Sequence, residues 1–437
     1  MLNFLMFVGC YVGGFIMAFA ANPAWAFMLY QIVYFISPLE RWWSYMVPTF
    51  SYSFFTVMLM FVVFLKDYKE HKKNRIFAAP QFKWVYLIAV AYVCTLFYAA
   101  LPDINNDATI NFIKLAIIIS VAYKLVDTDK KLNGVLAAYI AGAAYIGFLT
   151  YQVGRGPDGR VEGIGTVDAI DSNGIAAAIA PAVVLSAYYF WVSKSKIAKL
   201  SVAVAGAFIA NGIVLINSRG SFLAVIASMA YFVLFLLFSK HQRKNQRFSA
   251  IGMLFVGAIA AVFVVDESAL QRFQSMKTEQ MTEEQETGAT RIFFWLAAID
   301  MAKDYPFGTG AWGFQVHAPD YLPENMDTGA SRNRSVHSSW FEALTEVGYL
   351  GLFFLLMLLY SSFKTTKKAK ATLSKAGEVD NYYKVIAIEA AFVAFIVAMT
   401  FMNRFRAEIL YWIVLFTACA YNIYVLKNPP NKMPVSR

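Results

Sequence analysis

The chain has 437 residues, of which 59% are hydrophobic, 17% aromatic and only 15% charged, against the roughly 25% charged that is usual for soluble domains. Many uninterrupted apolar runs of ~17–22 residues, enough to cross ~30 Å of hydrocarbon, exclude a soluble protein, and the lack of alternating ~10-residue segments excludes a β-barrel. The net charge of +10 is not a nucleic-acid footprint, because Lys and Arg gather in short loops between the apolar runs.

Apolar runs fall near 2–19, 24–38, 50–66, 83–101, 109–125 and 133–152, and again near 174–193, 198–216, 221–238, 249–265, 342–363, 384–402 and 408–426. This is the pattern of an all-α polytopic membrane protein of 12 or 13 spans. The second run is short and follows Asn22-Pro23, so it reads as a half-helix or an interfacial segment. Basic loops at 66–75, 124–131, 193–199, 240–247 and 364–370 fall between alternate spans and are assigned to the cytoplasmic side. The N-terminus lacks a basic leader region and reads as a retained helix. The three cysteines, Cys10, Cys94 and Cys419, lie in apolar runs and read as small core residues, with no zinc spacing and no disulfide framework.

With that orientation the outward segments are 39–49, 102–108, 153–172, the tight turn 217–220, a long loop 266–341, and 403–408. They carry Arg41, Arg155, Arg160, Arg219, Arg272, Arg291, Arg332, Arg334, Arg404 and Arg406, where outward loops are ordinarily poor in arginine. The planar guanidinium binds phosphate and carboxylate through paired hydrogen bonds, so an arginine-rich outer face points to an anionic ligand such as a diphosphate. Arg219 is the most constrained of the set, held in a turn of a few residues between two spans.

The long loop holds two of the four histidines, His317 and His337. An acidic, polar stretch at 281–289 precedes an amphipathic helix opened by Arg291, with Ile292, Trp295, Leu296 and Ile299 on one face, suited to lie on a membrane surface. Pro306 ends it. The glycine run 308–313 lacks a preceding strand and a following GK[ST], so it reads as close packing and not as a phosphate cradle. His337 stands at the mouth of the span that begins near Trp340, where a neutral imidazole can accept a proton.

Together these features resemble the O-antigen ligase and polymerase superfamily (WaaL/Wzy-like membrane glycosyltransferases). The resemblance rests on Ser218-Arg219-Gly220 between two spans, and on Arg291 and Trp295 followed by PFGTGAWGF (306–314). It rests also on HSSWFEALTEVGYLG (337–351) and on Asp171-Ser172-Asn173 opening a mid-chain span. It implies a GT-C-like fold and a bacterial inner-membrane protein whose active site faces the periplasm. The implied enzyme is an inverting, metal-independent glycosyltransferase with no cofactor, taking a glycan from undecaprenyl diphosphate to a hydroxyl of lipid A-core or another glycan acceptor. Carried onto this sequence, His337 is the catalytic base. Arg219, Arg291 and Arg160 hold the diphosphate, with Ser218, Asp171, Asn173 and Ser338 in support.

The expected organisation is one integral membrane domain, with N-terminal transmembrane helices over 1–265, a large periplasmic loop with amphipathic helices over 266–341, and C-terminal transmembrane helices over 342–437. Membrane lipids are expected partners and nucleic acid is not. The alternative within the same chemistry is a Wzy-type O-antigen or exopolysaccharide polymerase, which differs only in its acceptor. A non-enzymatic lipid-glycan transporter would place ionisable residues at mid-membrane. Lys114 and Glu389 read as lying near span ends, and outward carboxylates form no compact cluster, with Asp168 and Asp171 the nearest approach to a metal site.

Overall fold

A computed structural model describes the chain except for residues 1, 39–40, 157–158, 160, 162, 170, 265–289, 325, 327–330 and 428–437. The described residues form helices and no strands. Every apolar run of the sequence falls on a helix: α1 (Leu2–Ala20), α2 (Trp25–Ile36), α3 (Tyr52–Lys66), α5 (Gln81–Thr95), α6 (Pro102–Leu125), α7 (Asp129–Val153), α8 (Ser172–Val192), α9 (Lys196–Ile216), α10 (Arg219–Phe238), α11 (Gln246–Val264), α14 (Ser339–Ala376), α15 (Val379–Met399) and α16 (Glu408–Tyr421). A one-turn helix α4 (Tyr68–His71) precedes α5, and α12 (Thr290–Asp304) and α13 (Gly313–Tyr321) precede α14. Among the described residues nine helices are long and apolar enough to cross a membrane, or ten if the pair Tyr68–Ala78 and Gln81–Thr95, bent by 77°, is one span. The protein is therefore a multi-pass helical membrane protein.

Local chemistry sets the helix ends. Ser51, Thr128, Asp171 and Ser195 each accept a hydrogen bond from a first-turn N–H of α3, α7, α8 and α9, satisfying donors that a helix start leaves open. Asn217, left-handed at φ 56°, closes α9 immediately before Arg219 starts α10.

The bundle is organised around α16, whose residues are almost entirely buried. Trp412 meets Phe27, Tyr30, Tyr34 and Phe35 of α2 and Tyr139 of α7 at ring-centroid distances of 4.9–6.3 Å. So α2 is short but central: ten of its twelve residues are buried. By contrast α1 buries only four of its nineteen residues and lies at the rim. Cys419 is buried as expected, whereas Cys10 and Cys94 are exposed on outer helix faces.

Three further expectations change. Lys114 is the thirteenth residue of the 24-residue α6, and Glu389 the eleventh of the 21-residue α15, so both are mid-helix and not near span ends. Glu389 is neutralised in place by Lys370 at 2.5 Å, with Thr366 and Tyr231 hydroxyls at 2.5 and 2.9 Å, tying α10, α14 and α15 together. On α12 the face that packs is Phe294, Ala297, Ala298 and Met301, buried with Phe314, Ala318, Leu322 and Val336 in a satellite core. Ile292, Leu296 and Ile299 are exposed instead, leaving an apolar outer face of the kind that lies on a bilayer.

Candidate active site

The segment between α15 and α16, residues 400–407, gathers the site. The Oγ of Ser339 accepts from Arg404 N (2.7 Å) and donates to Met402 O (2.8 Å), while Ser338 N donates to Asn403 Oδ1 (3.1 Å) and Trp340 Nε1 to Thr400 Oγ1 (3.0 Å). The start of α14, with His337 just before it, is thus stitched to this segment. Arg291 Nη1 donates to Phe401 O at 3.0 Å. Gly220, next to Arg219, packs on the same stretch: a Cβ there would sit 3.3 Å from Phe401 Cβ. The Arg291 side chain, the start of α10 beside Arg219 and the start of α14 beside His337 therefore border one short segment.

His337 is half-buried and holds a left-handed backbone at φ 49°. Ser335 Oγ lies 3.2 Å from its Nε2 and 3.5 Å from its Nδ1. Val336 between them is anchored in the satellite core, its carbonyl accepting from Trp295 Nε1 at 3.1 Å. Ser338 Oγ is buried with no hydrogen-bond partner among the described residues. Ser218 precedes α10 without capping it and accepts from Ser221 at 3.3 Å. Asn173 is half-buried in the first turn of α8. Arg160 and Arg272 lie outside the described residues.

Beside this segment opens a cavity of about 970 Å³. One wall is apolar, from α3 (Phe54, Val57, Met58, Phe61) and α6 (Phe112, Leu115, Ile117, Ile118), with Lys114 among them. The other end is polar, lined by Asp168, Asp171, Ser335, Glu342, Glu346, Asn403, Arg404, Arg406 and Glu408. Of the catalytic, diphosphate-holding and supporting residues that the resemblance implies, only Asp171 is in this lining, together with Asp168, Arg404 and Arg406 of the outward segments. Ser335 is too, and through it the His337 ring is one hydrogen bond from the cavity.

The charged groups of the polar end are paired with one another. Arg404 is half-buried, with Nη2 on Asp171 Oδ2 at 2.6 Å and Nη1 on Asp168 O at 2.7 Å. Asp168 accepts from the Tyr34 hydroxyl and, at 2.7 Å, from Glu408 N, so it caps α16 from a distant loop. Tyr30 donates to Glu408 at 2.8 Å. Arg406 Nη2 reaches Glu346 at 3.0 Å and Glu342 at 3.6 Å. Burial works against the Arg406 charge, but the flanking Glu346, Tyr92 and Glu342 more than offset it and raise its pKa above the ordinary arginine value. Glu346 further accepts from the Tyr92 hydroxyl at 2.6 Å and Trp312 N at 3.0 Å, and Glu342 from Phe405 N at 2.9 Å.

The sequence shows no compact carboxylate cluster, yet folding brings five carboxylates around one cavity. Each is engaged by an arginine, a tyrosine hydroxyl or a backbone N–H. Among the described residues no group of three or more His, Cys, Asp or Glu is placed to hold a metal ion. The arginines also divide by role. Arg41 donates to Gly165 O at 2.6 Å, tying two loops together, while Arg155 donates to Val214 O at 2.9 Å and Arg332 to Leu322 O at 2.8 Å, tying loops to helix ends.

Arg404 rests on Gly174, and this contact is testable. A Cβ at 174 would lie 1.3 Å from Arg404 Nη2, so Gly174→Ala forces the guanidinium off Asp171 and Asp168. Alanine suits the helix better by about 1 kcal/mol, so the expected result is an unfolding temperature within a few degrees of wild type and an activity reduced about tenfold or more. Arg404→Ala should give the same loss, and the double variant no further loss, as non-additivity requires for residues acting through one contact.

The joint that carries Glu346 explains two of the sequence motifs. Helix α14 breaks at Gly348 (φ 71°, ψ −166°). The break leaves carbonyls without helical partners, and the glycine run supplies them: Thr309 N donates to Thr345 O and Gly310 N to Glu346 O, both at 2.9 Å, while Tyr349 N donates to Pro306 O at 3.0 Å. The 306–313 run is therefore packing, as its composition suggests.

Residues 204–356 match the family model described as O-antigen ligase (Wzy_C). The matched segment runs from within α9 to within α14 and includes Arg219, Arg291, His337, Glu342, Glu346 and Gly348. No curated protein matches the chain.

Proposed function

We propose, from its place in the O-antigen ligase/polymerase superfamily over residues 204–356, that this protein transfers a glycan from a polyprenyl diphosphate to an acceptor hydroxyl at the outer face of the bacterial inner membrane. The observation that carries the reading is that Arg291, and the residues next to Arg219 and His337, pack on the 400–404 segment, beside a cavity that is apolar on one wall and polar at its end. An amphiphilic donor fits that polarity: the prenyl chain against α3 and α6, the sugar at the polar end.

His337 takes the proton from the acceptor hydroxyl as its oxygen attacks the anomeric carbon. The bond from that carbon to the diphosphate oxygen breaks with inversion, and the diphosphate leaves with the electron pair. Arg219 and Arg291 stabilise the charge that grows on the leaving group. The N-terminus of α10, which starts at Arg219, adds a positive helix end suited to a phosphate. A transfer onto lipid A-core is the ligase form of this reaction, and a transfer onto a growing repeat chain is the polymerase form.

The full chain in proteoliposomes, given polyprenyl-diphosphate oligosaccharide and candidate acceptors, tests the reading. Mass analysis should show either one block added to a lipid acceptor or a ladder of repeats. Movement of intact lipid-linked glycan across the bilayer with no new glycosidic bond would replace the transferase reading with a transporter. Arg219→Lys keeps the charge but loses the paired hydrogen bonds and is expected to lower transfer at least tenfold. Wild-type turnover in that variant would leave Arg219 as an anchor at the membrane boundary.

A further inference from the structure

Trp312 is built in a way that its own packing does not justify. It precedes α13 in a left-handed conformation, φ 63° and ψ 6°, which is an outlier for a bulky side chain. Its indole is 51% exposed and has no ring partner among the described residues. Left-handed turns nearby are made with glycine, at Gly308 and Gly310, so glycine would fill position 312 with less strain. What fixes the backbone is Trp312 N donating to Glu346 Oε1 at 3.0 Å, and the residue lines the polar end of the cavity.

Around it stand groups of one chemical character. Gln315 and Asn403 line the same cavity; Asn403 Oδ1 accepts from Ser338 N, while the Gln315 side-chain amide and Asn403 Nδ2 have no partner among the described residues. Glu342 accepts one hydrogen bond, from Phe405 N, and pairs with Arg406 at 3.6 Å, against the roughly four hydrogen bonds a carboxylate can accept. A flat aromatic ring beside spare amide and carboxylate groups suits a ligand with an apolar face and a hydroxylated edge. A diphosphate would meet the negative face of the ring system, and a prenyl chain would leave the polar groups without partners.

We infer that Trp312 is the stacking platform of a monosaccharide subsite, on which the C–H face of a pyranose lies while its hydroxyls bond Gln315, Asn403 and Glu342. Assigning that sugar to the transferred glycan or its acceptor rests on the transferase reading; the subsite itself does not.

Saturation-transfer NMR on the detergent-solubilised full chain tests it, with a panel of methyl pyranosides as probes. Wild type and His337→Asn should both transfer saturation to the ring C–H protons of at least one sugar, Trp312→Gly to none, and Trp312→Phe should retain part of the signal. Trp312→Gly should also unfold at the wild-type temperature or above, because glycine relieves the left-handed strain. In transfer assays the same variant should raise KM for the glycan tenfold or more with kcat nearly unchanged. Saturation retained by Trp312→Gly, or absent from wild type with every probe, would overturn the subsite. So would an unfolding temperature lowered with kcat lost at constant KM, since that marks a structural tryptophan. Sugar binding without turnover under any condition would instead remove the transferase reading and leave the subsite standing.

Discussion

Removing the imidazole of His337 is expected to lower glycan transfer by about 10²–10⁴-fold, the usual contribution of a positioned general base. The backbone at 337 is left-handed, φ 49°, so alanine adds strain and confuses loss of chemistry with loss of fold. Asparagine tolerates that conformation and cannot act as a base near neutral pH. His337→Asn should therefore keep the wild-type unfolding temperature within a few degrees while transfer falls as far as in His337→Ala. The neighbours argue that the loss is chemical. Val336 is locked in the satellite core, Ser338 and Ser339 are bonded to the 402–404 backbone and side chains, and none of these contacts uses the imidazole. Initial rates with polyprenyl-diphosphate oligosaccharide at saturating acceptor, read beside thermal unfolding, decide it. Rates within about threefold of wild type in both variants would remove His337 from the chemistry.

Much of this arrangement is legible in the sequence, and the reason is length scale. Helices reveal themselves in apolar runs because crossing hydrocarbon demands ~20 apolar residues in a row, and the turn at Arg219 and the start of α14 after His337 follow from where those runs stop. What is not legible depends on partners far along the chain. Arg404 and Arg406 read as outward arginines fit for phosphate, but they meet Asp171 across 233 residues and Glu346 across 60. Glu342 and Glu346 sit four apart, as surface carboxylates on a helix do, and only the break at Gly348 and the 400–407 segment turn them inward. On α12 nearly every face is apolar, so periodicity could not say which one packs. Phe314 and Val336, supplied by later segments, choose Phe294 and Met301 over Ile292 and Ile299. The same holds for Lys114, whose mid-helix position becomes visible only once α6 extends back to Pro102.

Gly348→Ala is expected to cost the most stability of any single methyl added to this protein. At φ 71° and ψ −166° the residue lies where essentially only glycine is found, and another side chain there is strained by ~1–3 kcal/mol. The new Cβ would also lie 2.2 Å from Pro306 O and 2.5 Å from Phe307 C. These are backbone atoms, so no side-chain rotation relieves the overlap and the two strands of the joint must separate. Separation breaks the bonds from Thr309 N, Gly310 N and Tyr349 N, worth about 1 kcal/mol each, for a total near 4–6 kcal/mol. That approaches the whole margin of many folded domains. Gly308→Ala should behave alike, because its Cβ would meet Glu346 O at 2.4 Å from the other side at φ 79°. Gly13→Ala on α1, where nothing lies within 4 Å, serves as the control and should be neutral or slightly stabilising. Thermal unfolding in detergent should show a large fall for the first two variants and none for the third. The joint carries Glu346, and Glu346 holds Arg406 and the backbone of Trp312. Any Gly348→Ala protein that does fold should therefore lose transfer more severely than its remaining stability would suggest. A Gly348→Ala protein with wild-type unfolding temperature and rate would mean that α14 is not broken at this residue in the membrane.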